Sequence, residues 1–384
     1  MRLSFFLPYS NYMIIAVNTR LSKAEQSEGY EHFMFALLDR LTVQYPQHRF
    51  IFIFDRPFDE KYKFAKNVLP VIAGPETGNS LRLQYWLHFR IPAILRKHKA
   101  DVFVSMEGTC SNRTKKPQCL LLTDLCFLQT PQPAKEPLTG FYKKYMPSFL
   151  AKAKRVAVVS AFSRQVIADH YKINAGDMDV ISPGVEDIFK PGDWDEKELT
   201  REKYADGKGY FLFSGDIDRR SNIINLLKAF TLFKKRQKSN MLLLIAGNAD
   251  AAFKKELQTY ALRHEVKLLE NLSITELAKI TAAAYAMVYP VLYTDLALPA
   301  LQAIRCGVPV VCSNTGALPA ILGDAALYAG PGNMDDIAQN MMLVYKDEQK
   351  AKALVLAGNA LPGQYRWDQS ADGLMRSILK AYNN

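Results

Sequence analysis

Short, almost uninterrupted apolar runs alternate with stretches of helical periodicity along nearly the whole chain. After a dozen residues without clear pattern, which read as a short aromatic appendage, MIIAVN (13–18) reads as a strand and Gly29 to Tyr45 as a helix. RFIFIF (49–54) and NVLPVIA (67–73) read as further strands. A helical pattern over 81–98 leads to DVFVS (101–105), and strand patterns recur at 119–123, 155–160 and 178–182. Ser160 is placed to cap the helix that follows its strand. Apolar runs separated by amphipathic helices are the mark of a parallel sheet between helical layers. From Asp187 to Gly209 the chain is polar and punctuated by Pro191 and Gly192, which predicts a linker. The alternation then restarts, with strands expected at 210–213, 242–246 and 266–269 and helices at 222–236 and 252–263. The fold class is therefore α/β, with two Rossmann-like domains (1–186 and 210–364) whose parallel sheets face a cleft.

The densest punctuation lies in YPVLYTDLALPALQAIRCGVPVVCSN, residues 289–314. The apolar run from Met287 ends in a short loop. Pro299 stands at a helix start, where the N–H it lacks would be unpaired anyway. The helix stops before Gly307 and hands over to a strand expected at 308–311. This is a parallel βαβ crossover, and such crossovers set ligands at the carboxyl ends of their strands. The N–H groups at Leu296, Ala297 and Leu298 would then face a phosphate.

Composition narrows the function. The 384 residues, 49% hydrophobic, suffice for two cored domains. No apolar run is long enough to span a bilayer, and the apolar start is interrupted by Pro8, Ser10 and Asn11, so a cytoplasmic location is expected. Cys110, Cys119, Cys126, Cys306 and Cys312 lie in or beside apolar strands without metal spacing, which predicts buried free thiols. The net charge of +11 favours anionic partners such as nucleotide or lipid phosphates. No zinc-finger spacing or aromatic RNA-binding signature accompanies it, which argues against nucleic acid. Residues 140–155 mix aromatics with lysines and are a candidate for peripheral contact at a membrane face, although Pro147 should break their periodicity; packed aromatics under solvated lysines are the bland alternative.

Landmarks along the chain from Met13 onward resemble those of family 4 glycosyltransferases of GT-B fold. EGYEHF (28–33), LLLTDLCFLQTP (120–131), VAVVSAFSRQVI (156–167), DVISPGVEDIFKP (179–191) and FLFSGDIDRRSNIINLLKAF (211–230) are similar to that family's motifs. So are GALPAILGDAALY (316–328) and YRWDQSA (365–371). Residues 298–310 match the family's donor segment at Leu298, Pro299, Leu301, Ala303, Gly307, Pro309 and Val310. The resemblance implies a nucleotide-diphosphate sugar donor, retention of configuration, no metal or other cofactor, and a C-terminal helix (365–384) that returns to the first domain. It also implies a glycan or lipid-linked acceptor on that domain.

The charged residues of the family's motifs are replaced. Where an arginine and a lysine usually clasp the diphosphate, this chain has Asp216 and Ser221, although Gly215 and Asn222 match. Arg219 and Arg220 stand just before Ser221 and are long enough to reach the same phosphates; solvated loop arginines are the bland alternative. Both glutamates of the E-x7-E motif are gone, replaced by Thr294 and Gln302, of which Gln302 can still hydrogen-bond a ribose. Asp295 stands beside Thr294; an exposed aspartate near a helix N-terminus is equally common without function. The strand-end histidine is Thr123, but the following Asp124 matches, and Gly29 keeps one glycine of the loop that lets backbone approach a ligand. His32 reads as an ordinary helix residue. Asp124 and Asp295 are thus the candidate catalytic residues; Gly29, Gly215, Arg219, Arg220, Asn222, Thr294, Leu296, Ala297, Leu298 and Gln302 are the candidate donor contacts. Two readings remain open at this level: a transferase acting on a hexose-type sugar, or a catalytically inactive GT-B protein that serves as a binding partner.

Overall fold

In the computed structural model the described residues are 12–20, 28–58, 65–129 and 138–383. The expected N-terminal appendage and the prolines Pro131, Pro133 and Pro137 lie outside them. Strands β1 (Ile14–Asn18), β2 (Arg49–Phe54), β3 (Val68–Ile72), β4 (Val102–Ser105), β5 (Gln118–Leu122), β6 (Arg155–Val158) and β7 (Met178–Val180) form a parallel sheet. Its order is β3-β2-β1-β4-β5-β6-β7. Strands β8 (Tyr210–Ser214), β9 (Leu242–Ala246), β10 (Val266–Leu269), β11 (Ala286–Tyr289), β12 (Val310–Ser313) and β13 (Ala326–Ala329) form a second parallel sheet, ordered β10-β9-β8-β11-β12-β13. Every residue of β5, β8 and β9 is buried, because helices cover both faces, and this is why these strands lack polar alternation.

Around the first sheet lie α1 (Glu28–Gln44), α2 (Ser80–Tyr85), α3 (Ile91–Lys97), α4 (Thr139–Lys152) and α5 (Ala161–Tyr171). The Ser160 side chain accepts from Ser163 N–H and caps α5. Around the second sheet lie α6 (Trp194–Ala205), α7 (Ile223–Gln237), α8 (Ala251–Thr259), α9 (Ile274–Ala283), α10 (Leu298–Arg305), α11 (Leu318–Leu322), α12 (Met334–Lys346) and α13 (Glu348–Gly358). The final helix, α14 (Trp367–Asn383), crosses back to pack on α1 and the first sheet.

Three elements differ from the sequence expectation. The helix expected over 81–98 is divided: a π-helical turn, Trp86–Arg90, separates α2 from α3, with Ile91 N–H donating to Trp86 O. Pro92 explains it, because its ring cannot accept normal α packing against the carbonyl four residues earlier, and the wider turn moves that carbonyl away. Conversely α4 continues through Pro147, which sits on its exposed face. The polar interval 187–209 contains α6, whose Asp193 and Glu196 form a capping box. Its polarity reflects a helix riding on the surface, tied to α9 by the Tyr204 Oη to Glu276 Oε1 hydrogen bond of 2.8 Å.

The return of α14 is specified by polar contacts. Ser370 Oγ donates to Ser182 O at 2.6 Å, Ser377 Oγ and Lys380 Nζ each approach Asp179 at 2.7 Å, and Tyr45 Oη donates to Asp372 at 2.8 Å. Where the chain first leaves the first sheet, Glu186 Oε1 lies 2.6 Å from His32 Nε2 and accepts from Trp367 Nε1 at 3.0 Å. His32 therefore ties α1 to both crossings, instead of being an ordinary helix residue. Gly184 is required there by close approach, since a Cβ would stand 2.3 Å from Trp367 N and 2.5 Å from its ring. Gly184→Ala should therefore destabilise the protein by about 1–3 kcal/mol, the usual cost of overpacking. Urea unfolding measures this, and a change near zero would show that the two crossings are loosely packed.

Candidate active site

The strand order of each sheet reverses once, between β1 and β4 in the first and between β8 and β11 in the second. At such switch points neighbouring connections part and leave a crevice beyond the strand carboxyl ends. Here the two crevices face each other and form one cleft of about 1120 Å³. Its first wall carries Arg20 after β1, Glu107 after β4, Thr123 and Asp124 after β5, Tyr30 of α1 and Tyr142 of α4. Its second wall carries Gly215, Asp216, Arg220 and Ser221 after β8, and Val291 to Leu296 in part after β11.

The walls are bolted together by Asp295, which is buried rather than solvated. Its Oδ2 accepts from Leu125 N–H at 2.7 Å; its Oδ1 accepts from Ser163 Oγ at 2.7 Å and from Tyr293 Oη at 3.1 Å. Burial and the nearby Asp124 charge raise its pKa to about 7, outweighing these donors. Burial, reinforced by the Asp295 charge, holds the Tyr293 phenol far above its ordinary value, so it remains a donor. Asp124 is half-exposed, and its Oδ2 pairs with Arg220 Nη1 of the opposite wall at 2.5 Å. Asp218 accepts Arg220 N–H at 2.8 Å and Ser221 N–H at 2.9 Å, so the loop after β8 is folded around its own carboxylate.

Asp124, Gly215, Arg220, Thr294, Asp295 and Leu296 thus converge on the cleft. The other candidates do not line it. Arg219 is exposed outside it. Gly29 lies in the first turn of α1, behind Tyr30. Asn222 Nδ2 donates to Pro290 O at 2.8 Å and Pro331 O at 2.7 Å, which makes it a clamp between loops. Ala297 and Leu298 are buried at the start of α10, and Gln302 is buried further along it. The N–H groups of Leu296 and Ala297 approach Thr294 Oγ1 at 3.3 and 3.4 Å, so a hydroxyl stands where the phosphate was expected. A short side chain that accepts from its own turn explains this position better than a sugar contact does. Gly215 adopts φ +133°, a conformation that a side chain would strain.

Sequence reading missed the deepest polar group of the first wall. Arg20 is fully buried, its Nε donating to Glu107 Oε2 at 2.7 Å and its Nη1 to Thr77 Oγ1 at 3.1 Å, while Asn18 Nδ2 donates to Glu107 Oε1 at 2.7 Å. The only linear signal was position, just past two strand ends that become neighbours once the sheet order is known. The cleft carries the carboxylates Glu107, Asp124, Asp216, Asp218 and Asp295 against the guanidinium groups Arg20 and Arg220. Pairing with those arginines offsets Glu107 and Asp124, and the raised pKa of Asp295 leaves it partly neutral near pH 7. All five cysteines are buried and none is joined in a disulfide. Among the described residues no group of histidine, cysteine and carboxylate side chains could hold a metal ion, and no helix is long and apolar enough to cross a membrane.

Residues 19–187 match the family model described as Glycosyltransferase Family 4, and residues 195–360 match that described as Glycosyl transferases group 1. The chain is 27% identical over 249 residues to O-antigen chain mannosyltransferase B of Escherichia coli, covering 64% of this chain and 65% of that protein. It is 24% identical over 243 residues to a D-inositol 3-phosphate glycosyltransferase of Segniliparus rotundus, covering 60% of this chain and 53% of that one. The chain therefore spans less than two thirds of the length of these curated relatives. Its fold is shared with a glycosyltransferase from Rickettsia africae (TM-score 0.76, 16% identity, 97% of this chain and 100% of that one). It is shared equally with Anabaena HepE in complex with UDP and glucose (TM-score 0.75, 14% identity, 96% and 100%).

The bolt at Asp295 titrates. A buried carboxyl whose folded pKa lies near 7 binds a proton that the unfolded chain, with a pKa near 3.9, does not hold at pH 5 or 6. Its contribution to stability is fully present below about pH 4 and is lost as pH rises towards about 7. Unfolding free energies across this range should show the descent for the natural chain and lack it for Asp295→Asn. Parallel curves for the two proteins would remove Asp295 as its source.

Proposed function

We propose that this chain, which belongs to the family 4 glycosyltransferases of GT-B fold, transfers a hexose-type sugar from a nucleotide-diphosphate donor to a glycan or lipid-linked acceptor. The observation that carries the reading is the single cleft built from two facing switch points, because a transferase must hold two substrates across a gap and shield them from water. The donor lies against residues 210–364, with Gly215 allowing close approach of the diphosphate and Arg220 supplying its positive charge. The acceptor lies against residues 1–186, where the stacked rings of Phe127 and Tyr142, 5.5 Å apart, offer a sugar an apolar face. The segment 187–209 and helix α14 connect these parts. The mannosyltransferase names of the bacterial relatives, Escherichia coli O-antigen chain mannosyltransferase B and Salmonella typhimurium RfbU, favour mannose as the sugar.

In this reading Asp124 has a double task. It holds the Arg220 guanidinium at the floor of the cleft and places a carboxylate where positive charge develops on the sugar. Asp295 acts through its neighbours, fixing the Asp124 to Cys126 turn from below. Asp216 is the opposing element, since its carboxylate faces the cleft where the diphosphate must sit. At an effective dielectric near 20, one such pair of charges about 4 Å apart is worth on the order of 4 kcal/mol, so Asp216 sets a ceiling on donor affinity.

Calorimetric titration with UDP, GDP and ADP and with their sugars tests the proposal. One base should bind. Arg220→Ala should weaken it about ten- to a hundredfold, Arg219→Ala by less than about fivefold, and Asp216→Ala should tighten it. Absence of binding and of donor hydrolysis with every nucleotide sugar would sink the transferase reading and leave a binding partner of GT-B shape.

A further inference from the structure

Helices α2 and α3 and the turn between them bury Leu83, Trp86, Leu87, Ile91, Ile94 and Leu95 against the first sheet. Their outward face is apolar as well: Leu81 is 77% exposed, Tyr85 47% and Phe89 49%, each about one helical turn from the next. The Tyr85 and Phe89 rings stack at 5.5 Å. A solvated helix face ordinarily carries charges of both signs. This one carries a single sign: residues 77–100 include no aspartate or glutamate, and Arg82, Arg90, Arg96 and Lys97 stand exposed.

The neighbouring elements extend the same surface. Arg113 lies over the Phe89 ring at 4.5 Å, Asn112 Nδ2 donates to Ser148 Oγ of α4 at 2.9 Å, and Tyr145 Oη of α4 donates to Gln84 at 3.1 Å. Residues 108–123 and 138–168 also lack any aspartate or glutamate, and Arg113, Lys115, Lys143 and Lys144 are exposed. The aromatics of α4 turn inward, with Phe141 and Phe149 buried, so α4 contributes charge and the stripe on α2 contributes the apolar side chains.

We infer that this face docks on an anionic lipid bilayer, with Leu81, Tyr85 and Phe89 entering the headgroup boundary and Arg82, Arg90, Arg113, Lys143 and Lys144 pairing with lipid phosphates. Exposed apolar side chains inside an uncompensated positive field match a surface that is both apolar at shallow depth and negatively charged. A nucleic acid would match the charge and leave Leu81 in water. The placement also serves the cleft. Helix α4 carries Tyr142 and Met146 on the cleft wall and Lys143 and Lys144 on the docking face, so a docked chain holds its cleft beside the lipid surface. The inference does not depend on the transferase reading.

Flotation with phosphatidylcholine vesicles, with and without phosphatidylglycerol and at low and high salt, tests it on the full chain. The protein should float with the phosphatidylglycerol vesicles at low salt. Each surface cation contributes roughly a fivefold gain in partition, so Arg82→Glu with Arg90→Glu should reduce binding at least about twentyfold. Leu81→Ser with Phe89→Ser should also abolish flotation at unchanged charge. Thermal unfolding accompanies each variant, and Leu81→Ser alone, at the most exposed position, replaces any double variant that melts early. No flotation by the natural chain overturns the proposal. So does flotation unchanged by the serine substitutions, or tight binding to duplex DNA without flotation, which would assign the face to a polyanion.

Discussion

Asp295 takes its three hydrogen bonds from both halves of the molecule, Leu125 N–H and Ser163 Oγ on one side and Tyr293 Oη on the other. A carboxylate without water is tolerated only when its lone pairs are filled, and these donors fill them only if the two sheets meet in this arrangement. This side chain therefore helps to fix the relative placement of the cleft walls. Its raised pKa records the same constraint, because the burial that makes the contact specific also resists the charge. The Asp124 to Arg220 pair beside it adds a contact that a ligand can compete for, since Asp124 remains half-exposed.

At the far side of the molecule the chain passes between the halves twice, and both passages run through Glu186. His32, Trp367 and the Gly184 backbone surround that carboxylate, so the outgoing and returning segments share one packed junction. Burial raises the Glu186 pKa, but the hydrogen bonds and charge supplied by His32 and Trp367 leave it below its ordinary value. A junction of paired groups at the back and a carboxylate bolt at the front hold the cleft from both sides. What lies between is left free to carry function: the acceptor-side aromatics, the buried Arg20 to Glu107 pair and the loop after β8.

The motif substitutions look different in three dimensions from how they look along the chain. Thr294, at a lost glutamate, caps its own turn, and Ser221, at a lost lysine, donates to Asp218 O within its own loop. Both short side chains satisfy backbone groups that would otherwise await a ligand. Asp216 lines the cleft with a charge opposite to that of the residue usually found there. The loop after β8 is folded around Asp218 and Arg220, which lie between the two replaced motif positions, Asp216 and Ser221.

Apolar runs and helical periodicity along the chain were enough to determine two parallel sheets, because strands covered on both faces must be apolar at almost every position. They determined the crossover around Pro299 and Gly307 for the same local reason, that a helix start and a helix end each leave a mark in single residues. Pro147 was legible as an interruption and the break near Pro92 was not, yet α4 continues through Pro147 while a π-helical turn precedes Pro92, because what a helix tolerates depends on the surroundings of the proline. Tertiary structure alone decided the site. Arg20 and Glu107 pair because β1 and β4 are neighbours, Asp295 is buried because Ser163 and Leu125 cover it, and Asn222 is a clamp because two distant loops end beside it. Each of these depends on elements far apart in sequence, and no local pattern of apolar and polar residues encodes which side chain of a distant strand end will be met across a gap.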